Sequence, residues 1–127
     1  DIGEEFKGKL VIADPEILGN LISNLTKVLC LAHPAGQLVY RMKYKAERKP
    51  TKIAIEITCL GTSPKDNFVY LLDTLIRKSL LMKPLVGFEK EELYLVTAME
   101  LATLLIVEID YQVSEDGQIS FEIILAS

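Results

Sequence analysis

Cysteine occurs twice and histidine once in the 127 residues. A structural zinc site needs four closely spaced ligands, and a disulfide framework needs a larger set of cysteines. Cys30 and Cys59 form neither pattern. Both fall in strongly apolar segments, so both are expected to be buried, reduced and inert, in a cytoplasmic protein. Long apolar runs are also missing. The longest, Leu101 to Val107, is interrupted by Thr103 and is far short of the roughly 20 residues that cross a bilayer. An excess of positive charge is missing too. A net charge of -4 gives no electrostatic reason for nucleic acid or an anionic membrane to be the partner. Asp1 to Lys9 is charged, unlike a secretory leader. The first residue is not Met, so the chain is expected to be an excised domain or a processed product of a longer protein.

Half of the residues are hydrophobic and 25% are charged. That composition buries a sizeable core, and the length suits one domain over residues 1–127. Lys9 to Ala13 reads as a short strand. Asp14, Pro15 and Glu16 then supply a helix start: an N-cap, a proline at the first helical position and an acid in the first turn. Leu18, Ile22, Leu25 and Leu29 recur at helical spacing, with Ile17, Leu21 and Val28 widening the stripe. His33 and Pro34 end that helix.

Leu38 to Lys45 alternates, with Leu38, Tyr40, Met42 and Tyr44 on one face and Val39, Arg41, Lys43 and Lys45 on the other. Ile53 to Thr58 alternates likewise. The polar stretch Glu47 to Pro50 makes the two a hairpin, which brings Arg41 and Lys43 near Glu56 on a solvated face. Gly61 to Asp66 is a loop. Asn67 to about Lys78 is expected to be an amphipathic helix with Phe68, Leu71, Leu72, Leu75 and Ile76 inward. Pro84 and Gly87 interrupt the next stretch, and Glu89 to about Leu104 is a further helix. Val107–Val113 and Ile119–Leu125 form a second hairpin around Asp116-Gly117. One apolar and one polar face per strand imply a mainly antiparallel sheet with helices on one side. The expected fold is a two-layer α/β sandwich: a mixed, mostly antiparallel sheet of about five strands under three helices.

That order of elements, from about residue 9 to 126, resembles the ATP-binding domain of sensor histidine kinases, a Bergerat fold of the superfamily shared with DNA gyrase. Asp14 to Val28 (D-P-E-I-L-G-N-L-I-S-N-L-T-K-V) is similar to the family's first motif. Ile55 to Gly61 resembles the strand leading into its second motif, Asp-x-Gly-x-Gly. Leu93 to Val96 resembles the helix that follows its glycine-rich third motif, and Gly117 to Leu125 its closing strand. The resemblance implies a vestigial nucleotide pocket at Asn24, Gly61 and Gly87.

The departures fall where the chemistry would be. Asn24 matches the first asparagine of the motif, but the position that gives Mg²⁺ an oxygen holds Val28, and hydrocarbon offers nothing to a hard cation. The usual lysine is replaced by Leu31; Lys27 is close but points in a different helical direction. The adenine-binding aspartate is replaced by Cys59, a poor acceptor beside a carboxylate. The second glycine of that motif is Ser63. Lys90 and Glu92 replace later glycines, with Glu91 between them. Carboxylates at a helix start stabilise the helix but repel phosphate, and Glu91 and Glu92 read as ordinary first-turn acids. His33 sits beside Pro34, unlike a phosphoacceptor helix, and reads as a solvated loop residue.

The resemblance with these losses implies a degenerate, pseudokinase-like regulatory or interaction module of two-component signalling. It would have no catalytic residue, no metal and no cofactor. The implied partners are a response-regulator receiver domain or a helical dimerisation or phosphotransfer domain, with no nucleic acid and no membrane insertion. Two alternatives stand beside it. One is a divergent, functional kinase domain using ATP and Mg²⁺. The other is a binding module whose old pocket takes a less anionic small ligand.

Overall fold

The computed structural model describes residues 14–34, 36–45, 52–61, 63–77 and 88–125. The strand expected at Lys9 to Ala13, the turn at Glu47 to Pro50, the interrupted stretch up to Gly87, and Gly87 itself lie outside them. In chain order the elements are α1 (Pro15–Ala32), β1 (Gln37–Lys45), β2 (Lys52–Leu60), α2 (Phe68–Leu72) with a π-helical turn (Asp73–Arg77), α3 (Glu89–Leu105), β3 (Glu108–Val113) and β4 (Ile119–Leu125). The described strands form one four-stranded sheet in the order β1-β2-β4-β3, and every pairing is antiparallel. The architecture is α/β, with the helices packed on the apolar face of the sheet.

α1 starts as the sequence predicts. Asp14 Oδ1 accepts hydrogen bonds from the backbone N–H of Glu16 (2.9 Å) and Ile17 (3.2 Å). Such a cap contributes about 1 kcal/mol. The buried side of α1 is Leu21, Leu25, Val28, Leu29 and Ala32. All of these but Ala32 belong to the expected stripe, and Leu18 and Ile22 are partly buried against the same core. These residues meet Ile57, Cys59, Ile119, Phe121 and Ile123 from the inner face of the sheet, with Phe68, Leu71, Leu72 and Leu75 closing the core.

The helix expected from Asn67 to Lys78 is α-helical over Phe68–Leu72 and then widens into the π turn. Widening shifts the phase of the side chains that follow. Thr74 is buried beside Leu75, and Arg77 reaches β3: its Nη2 donates to the Tyr111 carbonyl (2.8 Å) and its guanidinium lies 4.1 Å from the Tyr111 ring centroid. Asn67, which starts α2, has φ +70°, a left-handed conformation that asparagine tolerates better than most residues. The second hairpin turns at Gly117, whose φ of +82° favours glycine.

α3 ends on Ile106 in the left-handed conformation (φ +57°), with its N–H on the Thr103 carbonyl and the Val107 N–H on that of Ala102. A β-branched residue is strained there, and Ile106 is also almost fully exposed.

The outer face of the sheet corrects the expectation of a solvated surface. Glu56 pairs in register with Arg41 on one side and with Glu122 on the other. Two like charges directly opposite are destabilising, yet Glu56 is 6% exposed and Glu122 fully buried. Lys43 bridges them, with Nζ 2.9 Å from Glu56 Oε2 and 2.7 Å from Glu122 Oε2. Arg41 adds a second cation to Glu56, and Lys45 adds one to Glu122 at 3.1 Å. The apolar stems of these long cations lie over the sheet while their heads serve the carboxylates. Burial alone would push both carboxyls up. Hydrogen bonds from Lys43, with Arg41 at Glu56 and Lys45 at Glu122, outweigh it and hold both below their ordinary value. Beside this charged row, Thr58 and Ser120 join hydroxyls at 2.7 Å.

Candidate functional site

α1 and α3 run side by side, and each presents residues at i, i+3 and i+4 to one shared cleft. Lys27, Cys30 and Leu31 come from α1; Lys90, Leu93 and Tyr94 come from α3. This spacing puts three side chains on one helical face. The cleft has a volume of about 530 Å³ and its walls are mainly apolar. That is within the roughly 300–1,000 Å³ usual for small-molecule sites. Lys27 Nζ lies 5.2 Å from the centroid of the Tyr94 ring, within range of a cation–π attraction. Lys90 is exposed, and neither lysine meets a carboxylate among the described residues. Leu93 is 65% exposed, an apolar side chain held open to solvent. A shallower recess of about 260 Å³, lined by Glu89, Glu92, Leu93 and Val96, adjoins it through Leu93.

The residues singled out from the sequence are dispersed around this cleft. Leu31 and Lys90 line it. Val28 and Cys59 are in the core below the helices. Asn24 turns back on its own helix, its Nδ2 donating to the Asn20 carbonyl at 2.7 Å. Gly61, with φ +93°, and Ser63 are exposed in the loop after β2. Glu92 lines the neighbouring recess. Lys27, Cys30 and Tyr94 line the cleft although the sequence reading gives none of them a place in the pocket. Their shared spacing was the available signal, but nothing in one sequence says which two helices lie together.

The positions that the resemblance would assign to magnesium and adenine contacts hold other groups. The position that the resemblance would give to a metal ligand holds a fully buried valine side chain, and Asn24 Nδ2 donates to backbone. In place of an adenine acceptor, Cys59 is a buried thiol whose pKa is pushed up by burial. Among the described residues there is no group of three or more His, Cys, Asp or Glu able to hold a metal ion.

Three expectations about polar and sulfur side chains need correction. Glu91 is not an ordinary first-turn acid: it is 2% exposed and pairs with Lys65 Nζ at 3.0 Å. Lys65 is fixed there because its backbone N–H bonds the Ala32 carbonyl, tying the loop to the end of α1, and its Nζ lies near the Phe88 ring. Cys30 is exposed, since the helical phase that buries Val28 and Leu29 turns it outward. His33 is buried rather than solvated, because it caps α1 and packs edge-on against Phe68, centroids 5.9 Å apart. Its Nδ1 lies 3.0 Å from the Leu29 carbonyl, so Nδ1 carries the proton and donates. Nε2 is buried and has no hydrogen-bond partner among the described residues. Burial, opposed by that hydrogen bond, holds the imidazole below its ordinary value, in the neutral form.

The class that the fold and the site define is a two-layer α/β domain with an open, apolar, lysine-bearing cleft between two helices. No protein-family model matches the chain, and no curated protein matches it in sequence. No helix among the described residues is long and apolar enough to cross a membrane.

Proposed function

We propose that the chain is a histidine-kinase-like ATPase domain of the Bergerat type that has lost its nucleotide chemistry and acts as a regulatory or protein-interaction module in two-component signalling. The single observation that carries this reading is the burial of Val28 and Cys59 at the positions where the resemblance expects a magnesium ligand and an adenine acceptor. The order helix, hairpin, helix, helix, hairpin supports the same lineage, and a fifth strand at Lys9 to Ala13 would complete its sheet. The partners in this reading are a receiver domain or a helical dimerisation or phosphotransfer domain, met in the cytoplasm. Calorimetric titration with ATP and Mg²⁺ tests it. No heat of binding is expected in the micromolar range. Micromolar affinity that disappears in Asn24→Ala would instead make the chain a divergent, working kinase domain.

A second reading keeps the old pocket as a site for a less anionic small ligand. The open cleft favours it. Had the lost pocket simply filled with side chains, Leu31 would be buried; instead it lines a space wide enough for a ligand.

A further inference from the structure

We propose that the cleft between α1 and α3 binds an amphipathic organic monocarboxylate, its hydrocarbon body against Leu31, Leu93 and Tyr94 and its carboxylate between Lys27 and Lys90. The inference rests on the second reading above and names the ligand class for it. The opposed walls supply one ammonium each. Elsewhere in the described structure, a cation facing a buried acid is used up. Lys43 and Arg41 are held by Glu56, and Lys65 by Glu91. Among the described residues, Lys27 and Lys90 are engaged by no such group. A single carboxylate between them would accept hydrogen bonds from both, and such charge-assisted bonds are the stronger kind. The mainly apolar wall requires an apolar body, because a small hydrophilic anion would leave Leu31, Leu93 and Tyr94 in water. Glu92 in the adjoining recess sets the limit on charge. A polyphosphate reaching past Lys90 would meet that carboxylate, whereas one negative charge is matched by the lysines alone.

The test uses the full chain and two readouts, calorimetric affinity and the reactivity of Cys30 toward a maleimide. Cys30 lines the cleft and is exposed, while Cys59 is buried and serves as a slow internal reference. Decanoate, below its micelle concentration, is expected to bind and to slow labelling of Cys30. Decanol is expected to bind roughly tenfold more weakly, and Lys27→Gln combined with Lys90→Gln to lose affinity for decanoate by roughly tenfold with an unchanged melting temperature. Equal protection by decanol and decanoate would overturn the carboxylate while keeping the cleft as a small-ligand site. No protection by either would overturn both. Protection by ATP and Mg²⁺ at micromolar concentration would overturn the proposal in favour of a retained nucleotide site.

Discussion

Two regions of this molecule use lysine in opposite ways. On the outer face of the sheet, Lys43 and Lys45 sit over two buried glutamates, and every charge in the row has a partner. In the cleft between α1 and α3, Lys27 and Lys90 stand exposed over apolar side chains and meet no carboxylate among the described residues. In the first case the carboxylates were taken out of water by folding, so the cations are needed for the fold. In the second the ammoniums stay hydrated, and folding gains little from them. The stability of the domain therefore resides on the sheet side of this pair, and its capacity to bind on the helix side. α3 carries other features that folding alone does not favour: Leu93 and Leu104 exposed by 65% and 69%, and the strained Ile106.

The contrast breaks most sharply at Lys43. Lys43→Met leaves two facing carboxylates short of their shared cation and is expected to cost about 2–4 kcal/mol in urea unfolding. That is less than a fully buried pair would lose, because the ammonium is partly exposed and water replaces some of it. A cost under about 0.5 kcal/mol, the level of an ordinary surface substitution, would show that the row is not structural.

Acid probes the same row and the buried histidine separately. His33 has its folded pKa held below the ordinary 6.5, so the unfolded chain binds the extra proton. Its contribution is complete above about pH 6.5 and declines as pH falls below that, by at most about 1.4 kcal/mol per pH unit. Glu56 and Glu122 are held below their ordinary 4.5, so their contribution is intact above that value and is lost as pH falls through the lower folded values. Urea midpoints measured against pH should therefore fall in two stages. His33→Leu should remove the upper one, since the Leu29 carbonyl keeps the backbone N–H of residue 33. A single stage in the native chain would contradict the assignment.

A smaller effect of opposite sign is expected at the end of α3. Ile106→Gly relieves the left-handed strain and should raise stability by about 1 kcal/mol, read as an increase in melting temperature. The smallest effect belongs to the cleft. Lys27→Met and Lys90→Met should each shift stability by no more than about 0.5 kcal/mol. A larger loss from either would place these lysines with the fold, like Lys43.

Much of the frame was legible in the residues. Asp14 and Pro15 mark the start of α1, and the alternation of β1 and β2 fixes which side chains share a face, because the period of a strand is two. The pairing of Arg41 with Glu56 followed from the hairpin. The limits are equally specific. Periodicity says which side of a helix is apolar, but an apolar neighbourhood in sequence does not say that Cys30 turns outward. The π turn at Asp73 has no signature in local sequence. Glu122 is separated from Glu56 along the chain by α2, α3 and β3, and a facing pair of acids becomes visible only once β4 inserts beside β2.

Local chemistry along the chain thus determined the elements, their caps and the apolar face of each strand, because these depend on neighbours within a few residues. Tertiary structure decided what is buried and what is free. It turned His33 and Glu91 inward, drew Lys43 over two distant glutamates, and left Lys27 and Lys90 facing an open cleft. Those outcomes depend on which elements come together, and desolvation and charge pairing act through space rather than along the chain.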